Sequence, residues 1–181
     1  MATIKPEDRP HYTYDDYKLW DGKWEIIAGM PYAMSPAPSI LHQNVSNNIA
    51  WQLKEIFQDC SQCQSLLPVD WKIAEDTVVQ PDNLVICDTP NNKAYLTKAP
   101  VIIFEILSKS TARMDENLKY NLYETEGVKY YVIVNADDKV AKVHELNNGK
   151  YSKVGDFYDE IVEFAIDQCD KPVKFDFAKV W

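Results

Sequence analysis

The sequence predicts a mixed α/β protein built around one central sheet, and three observations carry that prediction. The run VIIFEIL, residues 101–107, is apolar almost throughout, as a strand covered on both faces must be. From Ser39 to Asn135 the elements read helix, three strands, helix, strand, an order that suits a mixed sheet with helices on its faces. Beyond Asn135, turn signals alternate with short β-rich runs and add antiparallel strands.

The elements follow from local chemistry. Thr13 and Asp16 form a capping signal, which predicts a short helix over Tyr14 to Leu19. Lys23 to Ala28 and Met30 to Met34 read as two strands meeting at Gly29. Pro36 and Pro38 break the pattern, and Ser39 caps a helix in which Leu41, Val45, Ile49, Leu53, Ile56 and Phe57 recur at helical spacing to about Asp59. Ser65 to Ala74 reads as one strand interrupted near Pro68, and Asn83 to Cys87 as a short apolar strand. Asp88 to Pro100 is a loop, carrying Pro90 and two asparagines.

After Val101 to Leu107, Ser110 or Thr111 caps a helix that runs to about Glu126 and ends at Gly127. Tyr130 to Asn135 is rich in aromatic and β-branched residues and reads as a strand. Asp137-Asp138 and Asn147-Asn148-Gly149 turn the chain into Val140 to Leu146 and Tyr151 to Val154. Ile161 to Ile166 is a candidate edge strand, and Phe175 to Trp181 a packed tail. Short loops favour antiparallel pairing of the first three core strands, whereas the later helix can carry the chain to a parallel neighbour. Residues 1–181 read as one domain with its core at about 39–135, with no repeat or linker.

Composition narrows the function. No window approaches the apolar length of a membrane span, and Met1 to Pro10 lacks the apolar core of a signal peptide, so a cytoplasmic protein is expected. The net charge of −9 counts against general nucleic-acid binding, and only two arginines, Arg9 and Arg113, can read guanine in bidentate fashion. A metal site, however, concentrates carboxylates, and its cation changes the local sign. Lys93, Lys98, Lys109, Arg113, Lys119 and Lys129 fall in the segment around the candidate site, while much of the excess acid lies between Asp156 and Asp176. Cys60 and Cys63 form a single C-x-x-C. Cys87 and Cys169 do not repeat that spacing, so reduced thiols are expected rather than a metal or redox site.

Glu105 is the residue that needs explaining. Inside VIIFEIL a bare carboxylate is desolvated and must pair, bind a metal or take up a proton, unless it lies near the strand end and points to solvent. In QPDNLVI, Pro81 marks a strand start and places Asp82 at its mouth. If that strand pairs with Val101 to Leu107, the two carboxylates converge on one sheet edge and suit Mg²⁺ or Mn²⁺; otherwise Asp82 is a turn aspartate. Lys119, in DENLKYNLYETEG, can orient a water or stabilise charge on a phosphate; the plainer reading is a surface Asp115–Lys119 pair.

QPDNLVI, FEILSKST, D-x-x-x-K-Y and EGVKYYVIV, taken in order with WEIIAGMPYAMSPAPS-x-x-H, resemble the Uma-type restriction endonuclease family of the PD-(D/E)XK nuclease superfamily. The resemblance runs from about Tyr12 to about Tyr151. It implies a restriction-endonuclease-like core, metal binding by Asp82 and Glu105, and hydrolysis of DNA phosphodiester bonds. The superfamily's lysine two residues after the second acid is replaced by Leu107, and Lys119 from the helix is the substitute the resemblance implies. Glu25 and His42 match an acidic position and a histidine of the family and are candidate substrate or supporting residues. Their plain alternatives are an outward strand residue and a first-turn helix residue. Tyr123, one turn beyond Lys119, lies beside the site or serves the core, while His11 and His144 carry no signal.

The leading expectation is a Mg²⁺-dependent endonuclease acting on DNA. A non-catalytic binding module on a nuclease fold is favoured by the acidic charge and by Leu107, and hydrolysis of RNA or another phosphodiester shares the same site. Cleavage of both strands of a duplex favours a two-fold homodimer.

Overall fold

In the computed structural model, residues 10–34, 37–89, 94–108 and 112–181 are described. Capping begins the chain as expected, with the Thr13 amide donating to Asp16 Oδ2 at 2.9 Å. Helix α1, however, spans only Tyr14–Tyr17. Strands β1 (Trp24–Ile27) and β2 (Met30–Ala33) form a hairpin whose turn places Ala28 and Gly29 at positive φ, 50° and 75°. That left-handed pair matches the twist of the flanking strands.

Helix α2 (Ile40–Phe57) begins at Ser39, whose hydroxyl accepts the His42 amide at 3.2 Å. The expected Ser65–Ala74 strand is instead two: β3 (Cys63–Leu66) and β4 (Trp71–Ala74), which enter different sheets. The break falls where Pro68 withholds a ladder donor. Strand β5 (Thr77–Val79) was not anticipated, because three residues give no readable period.

The main sheet takes β6 (Asn83–Cys87), β7 (Ile102–Ile106), β8 (Tyr130–Asn135), β9 (Val140–Asn147) and β10 (Lys150–Phe157), in the order β10-β9-β8-β7-β6-β3. β3–β6 and β6–β7 are antiparallel and β7–β8 is parallel, the expected core topology. Between β7 and β8 runs a helix whose first part is a π-helix (Met114–Lys119) and whose second is α3 (Tyr120–Thr125). The expected caps Ser110 and Thr111 lie outside the described residues. β1, β2, β4 and β5 form a second sheet, ordered β2-β1-β5-β4. The expected edge strand and tail form a small sheet of their own, β11 (Ile161–Phe164) against β12 (Val173–Asp176), followed by a 3₁₀ turn.

Strand alternation divides the core. On one face of the main sheet Phe104 and Val132 pack with Leu53 of α2 and with Phe164 and Phe175 of the small sheet. On the other, Ile103 and Tyr131 pack with Trp71 of the second sheet and Tyr123 of α3. Glu105 shares the parity of Ile103 and therefore faces the second sheet and the crossover helix.

All four cysteines converge at the edge of this frame. The structure joins Cys60 to Cys169 and Cys63 to Cys87, which corrects the expectation of four separate thiols. The local spacing hid this, because the partners come from β6 and from the C-terminal segment.

Candidate active site

Asp82, Glu105, Lys119, Glu25 and His42 all line one cleft of about 570 Å³ between the two larger sheets, α2 and the crossover helix. Asp82 precedes β6, and its Oδ2 accepts the Ile106 amide of β7 at 2.8 Å. His42 Nε2 lies 3.2 Å from the same oxygen. A buried polar pair fixes this arrangement: Ser46 Oγ donates to Asn83 Oδ1 at 3.0 Å, and Asn83 Nδ2 donates to the Ser46 carbonyl at 3.2 Å. Ser46 is one turn after His42 and Asn83 follows Asp82, so the contact that docks α2 on β6 also brings the histidine to the aspartate.

Glu105 is 3% exposed and Glu25 0%, so neither is the solvent-facing strand residue that remained open for each. Glu105 Oε1 accepts from Tyr123 Oη at 2.8 Å and from Lys119 Nζ at 3.0 Å. Lys119 also reaches Glu25 Oε1 at 2.9 Å and Asp115 Oδ1 at 3.6 Å. Asp115 and Lys119 are each 2% exposed, which overturns the surface-pair reading. Both acid and lysine sit on the π-helix, a distortion that recurs at functional sites.

Sequence reasoning missed Asp115 as a member of the cluster. Its i,i+4 spacing to Lys119 was visible, but the helix carries polar residues on every side and does not announce which face is buried. A supporting layer was missed as well. The Gln80 amide donates to Glu25 Oε1 at 2.8 Å, while Gln80 Nε2 donates to Asp70 Oδ1 at 2.7 Å and Tyr17 Oη donates to the same oxygen at 2.9 Å. This network ties β1, β4–β5 and α1 behind the acid.

The electrostatics are those of crowded anions around one cation. Burial pushes the Glu105 carboxyl well above the usual range; Lys119 opposes this, and Asp115, Asp82 and Glu25 add to it. Burial pulls the Lys119 ammonium down, but Glu105, Glu25 and Asp115 together hold it well above an ordinary lysine. For His42 burial lowers the pKa, but the bond and charge of Asp82, with the Ile106 backbone and Asp115, raise it, and the net shift is upward. Among the described residues of the basic segment expected around the site, only Lys119 lines the cleft, joined by Lys23 from outside that segment. Lys93 and Lys109 lie outside the described residues.

The donor set suits a hard divalent ion. It offers carboxylate oxygens from β1, the start of β6, β7 and the π-helix, and Glu25 Oε2 is buried with no hydrogen-bond partner among the described residues. Leu107, at the position where the superfamily carries its lysine, packs at the margin of the core. The ammonium arrives instead from Lys119 on the helix.

A helix, three antiparallel strands, a crossover helix and a parallel strand, with acids at the junction of the central strands, define the restriction-endonuclease-like class of fold. The chain belongs to the Uma2 family, whose model, described as "Putative restriction endonuclease", matches residues 14–163. The fold is also similar to the crystal structure of "a putative nuclease belonging to DUF820 from Anabaena variabilis ATCC 29413", with a TM-score of 0.74 and 14% identity over 93% of this chain and 97% of that one. No curated protein matches the chain.

Proposed function

We propose that the chain is a metal-dependent endonuclease that hydrolyses DNA phosphodiester bonds, with Mg²⁺ or Mn²⁺ held by Asp82 and Glu105 and supported by Glu25. The observation that carries this reading is the convergence of four carboxylates, Glu25, Asp82, Glu105 and Asp115, on one cleft, three of them sharing the single ammonium of Lys119. Buried anions in excess of their cations must bind a further cation or take up protons. The family and the similar nuclease fold support phosphodiester chemistry.

A divalent ion supplies charge neutralisation and Lewis acidity at the phosphate. The residues of the chain do the rest. The Ile106 amide and His42 fix the orientation of Asp82. Tyr123 and Lys119 fix Glu105, and Lys119 places a positive charge where negative charge grows on a phosphate oxygen. Glu25 is held by the Gln80 amide, so β1 takes part in the site's rigidity. Cutting both strands of a duplex would use two copies related by a two-fold axis. A cytoplasmic site of action accords with this chemistry, and among the described residues no helix is long and apolar enough to cross a membrane.

One observation favours a second reading, a non-catalytic module on a nuclease fold. The described cleft walls carry Asp137 in addition to the four acids and only two lysines, which is a poor surface for a phosphate backbone unless a cation is bound. Calorimetry with Mn²⁺ on wild type and Asp82→Ala, followed by cleavage assays on wild type and Glu105→Gln, separates the two. The nuclease reading expects Mn²⁺ binding that Asp82→Ala abolishes, and metal-dependent cleavage of DNA that Glu105→Gln abolishes. Cleavage by Glu105→Gln at the wild-type rate overturns the site assignment. Absence of both binding and cleavage leaves the module, and cleavage of RNA alone changes the substrate.

A further inference from the structure

The four cysteines of the chain come from three separate stretches of the sequence and are joined at one place in the fold. Cys60 and Cys63 bracket the turn after α2, with the Cys60 amide donating to the Phe57 carbonyl and the Cys63 amide to the Cys60 carbonyl, at 3.2 and 3.1 Å. Cys87 ends β6 and stands opposite Cys63 in the antiparallel register. Cys169 lies in the turn after Ile166, its amide donating to the Ile166 carbonyl at 2.9 Å.

The sulfurs of Cys60, Cys63 and Cys169 all lie within 4.8 Å of one another, and those of Cys63 and Cys169 are 4.0 Å apart. Cys87 joins them through its pairing with Cys63. Cys63 and Cys87 are buried, at 6% and 2% exposure, whereas Cys60 and Cys169 are half-buried and leave a route from solvent.

We propose that in the reduced chain these four cysteines form a closed tetrathiolate site for one Zn²⁺ ion. A tetrahedron with Zn–S bonds of about 2.3 Å has sulfur–sulfur edges of about 3.8 Å, close to the 4.0 Å that separates the sulfurs of Cys63 and Cys169. Four sulfurs and no open position is the composition of a structural rather than a catalytic zinc centre. A short C-x-x-C turn supplies two ligands, as such sites commonly do, and the sheet register and the returning C-terminal segment supply the others. The two bridges and the zinc centre are alternative uses of the same sulfurs. A newly made chain carries four thiols, and Zn²⁺ uptake forms four Zn–S bonds and releases four protons, with no electron transferred.

The site is separate from the carboxylate cleft, since Cys87 ends β6 and Asp82 precedes its start. It does not depend on the nuclease reading. Its effect is to fasten the end of α2 and the β3–β6 pair to the segment that leads into β12.

The test is the zinc and thiol content of the full chain, purified with a thiol reductant and without chelator. Elemental analysis is expected to find stoichiometric zinc, and titration of the wild type with an organomercurial to release it in step with thiol modification. Cobalt substitution is expected to give the near-ultraviolet thiolate-to-metal absorption of a sulfur site. Cys169→Ser loses the zinc and Asp82→Ala keeps it. The wild-type mercurial and cobalt measurements stand even if Cys169→Ser fails to fold. Wild type without zinc overturns the proposal, whether its thiols are free or paired. So does zinc that survives Cys169→Ser and disappears in Asp82→Ala.

Discussion

Replacing Lys119 by methionine tests whether one ammonium organises the carboxylate cluster. The side chain keeps most of its length and loses its charge. Its nitrogen lies 2.9, 3.0 and 3.6 Å from oxygens of Glu25, Glu105 and Asp115. At an effective dielectric of about 20, each such attraction is about 5 kcal/mol before desolvation, and burial of the ions offsets several kcal/mol per group. Breaking a buried ion pair by removing one partner costs about 3–5 kcal/mol. For a chain of 181 residues that corresponds to a fall in Tm of about 6–20 °C, measured in chelator at mildly alkaline pH.

The loss has a specific origin, carboxylates left buried without a cation. Adding Glu105→Gln to Lys119→Met should therefore recover part of it, with a coupling of at least about 1 kcal/mol in a double-mutant cycle. A loss below about 1 kcal/mol for Lys119→Met, or strict additivity of the two changes, would show that the ammonium does not hold the carboxylates together.

Two further outcomes follow from other parts of the fold. Gly29 has φ of +75°, and an added methyl group would lie 2.2 Å from Cδ2 of the His11 ring, which pairs with Asp76 at 3.0 Å. Gly29→Ala should lower stability by about 1–3 kcal/mol, and an unchanged urea midpoint would show that the β1–β2 turn tolerates a side chain. Burial lowers the His144 pKa, the neighbouring Lys153 and Lys142 add to this, and its bond to Tyr131 opposes it. The unfolded chain then binds that proton first, so its contribution is complete above the unfolded value of 6.5 and is lost as pH falls through the lower folded value. Tm measured across that window should fall less steeply in His144→Phe than in wild type, and parallel profiles would contradict the assignment.

The core was legible because its signals are local and strong. VIIFEIL could be little other than a central strand, and Gly29 and Gly127 mark real chain reversals at positive φ. The pairing of Asp82 with the end of β7 followed once both strands were placed. Glu25 was harder, because a strand of four residues does not reveal which face meets a second sheet. Lys119 was a candidate from the sequence, but its burial with Asp115 was hidden by a π-helix, whose wider turn has no compositional signature and alters which side chains share a face. The cysteine convergence was invisible for a different reason. It depends on the register of β3 against β6 and on a return of the chain more than a hundred residues later.

Carrying the lysine on a helix rather than on the strand changes what governs the site. A lysine at the position of Leu107 would be set by the same backbone ladder that holds Glu105. Lys119 is set by how the crossover helix docks. A rotation of that helix about its axis would withdraw the ammonium and Asp115 together while Asp82, Glu105 and Glu25 stayed in place. The anchoring contacts of that helix, Tyr131 Oη to the Asp115 carbonyl at 2.9 Å and Lys142 to Glu116 at 2.9 Å, thereby act on the charge state of a cleft that neither Tyr131 nor Lys142 lines. Substitutions at these anchoring contacts would change the electrostatics of the cleft without altering any of its acids.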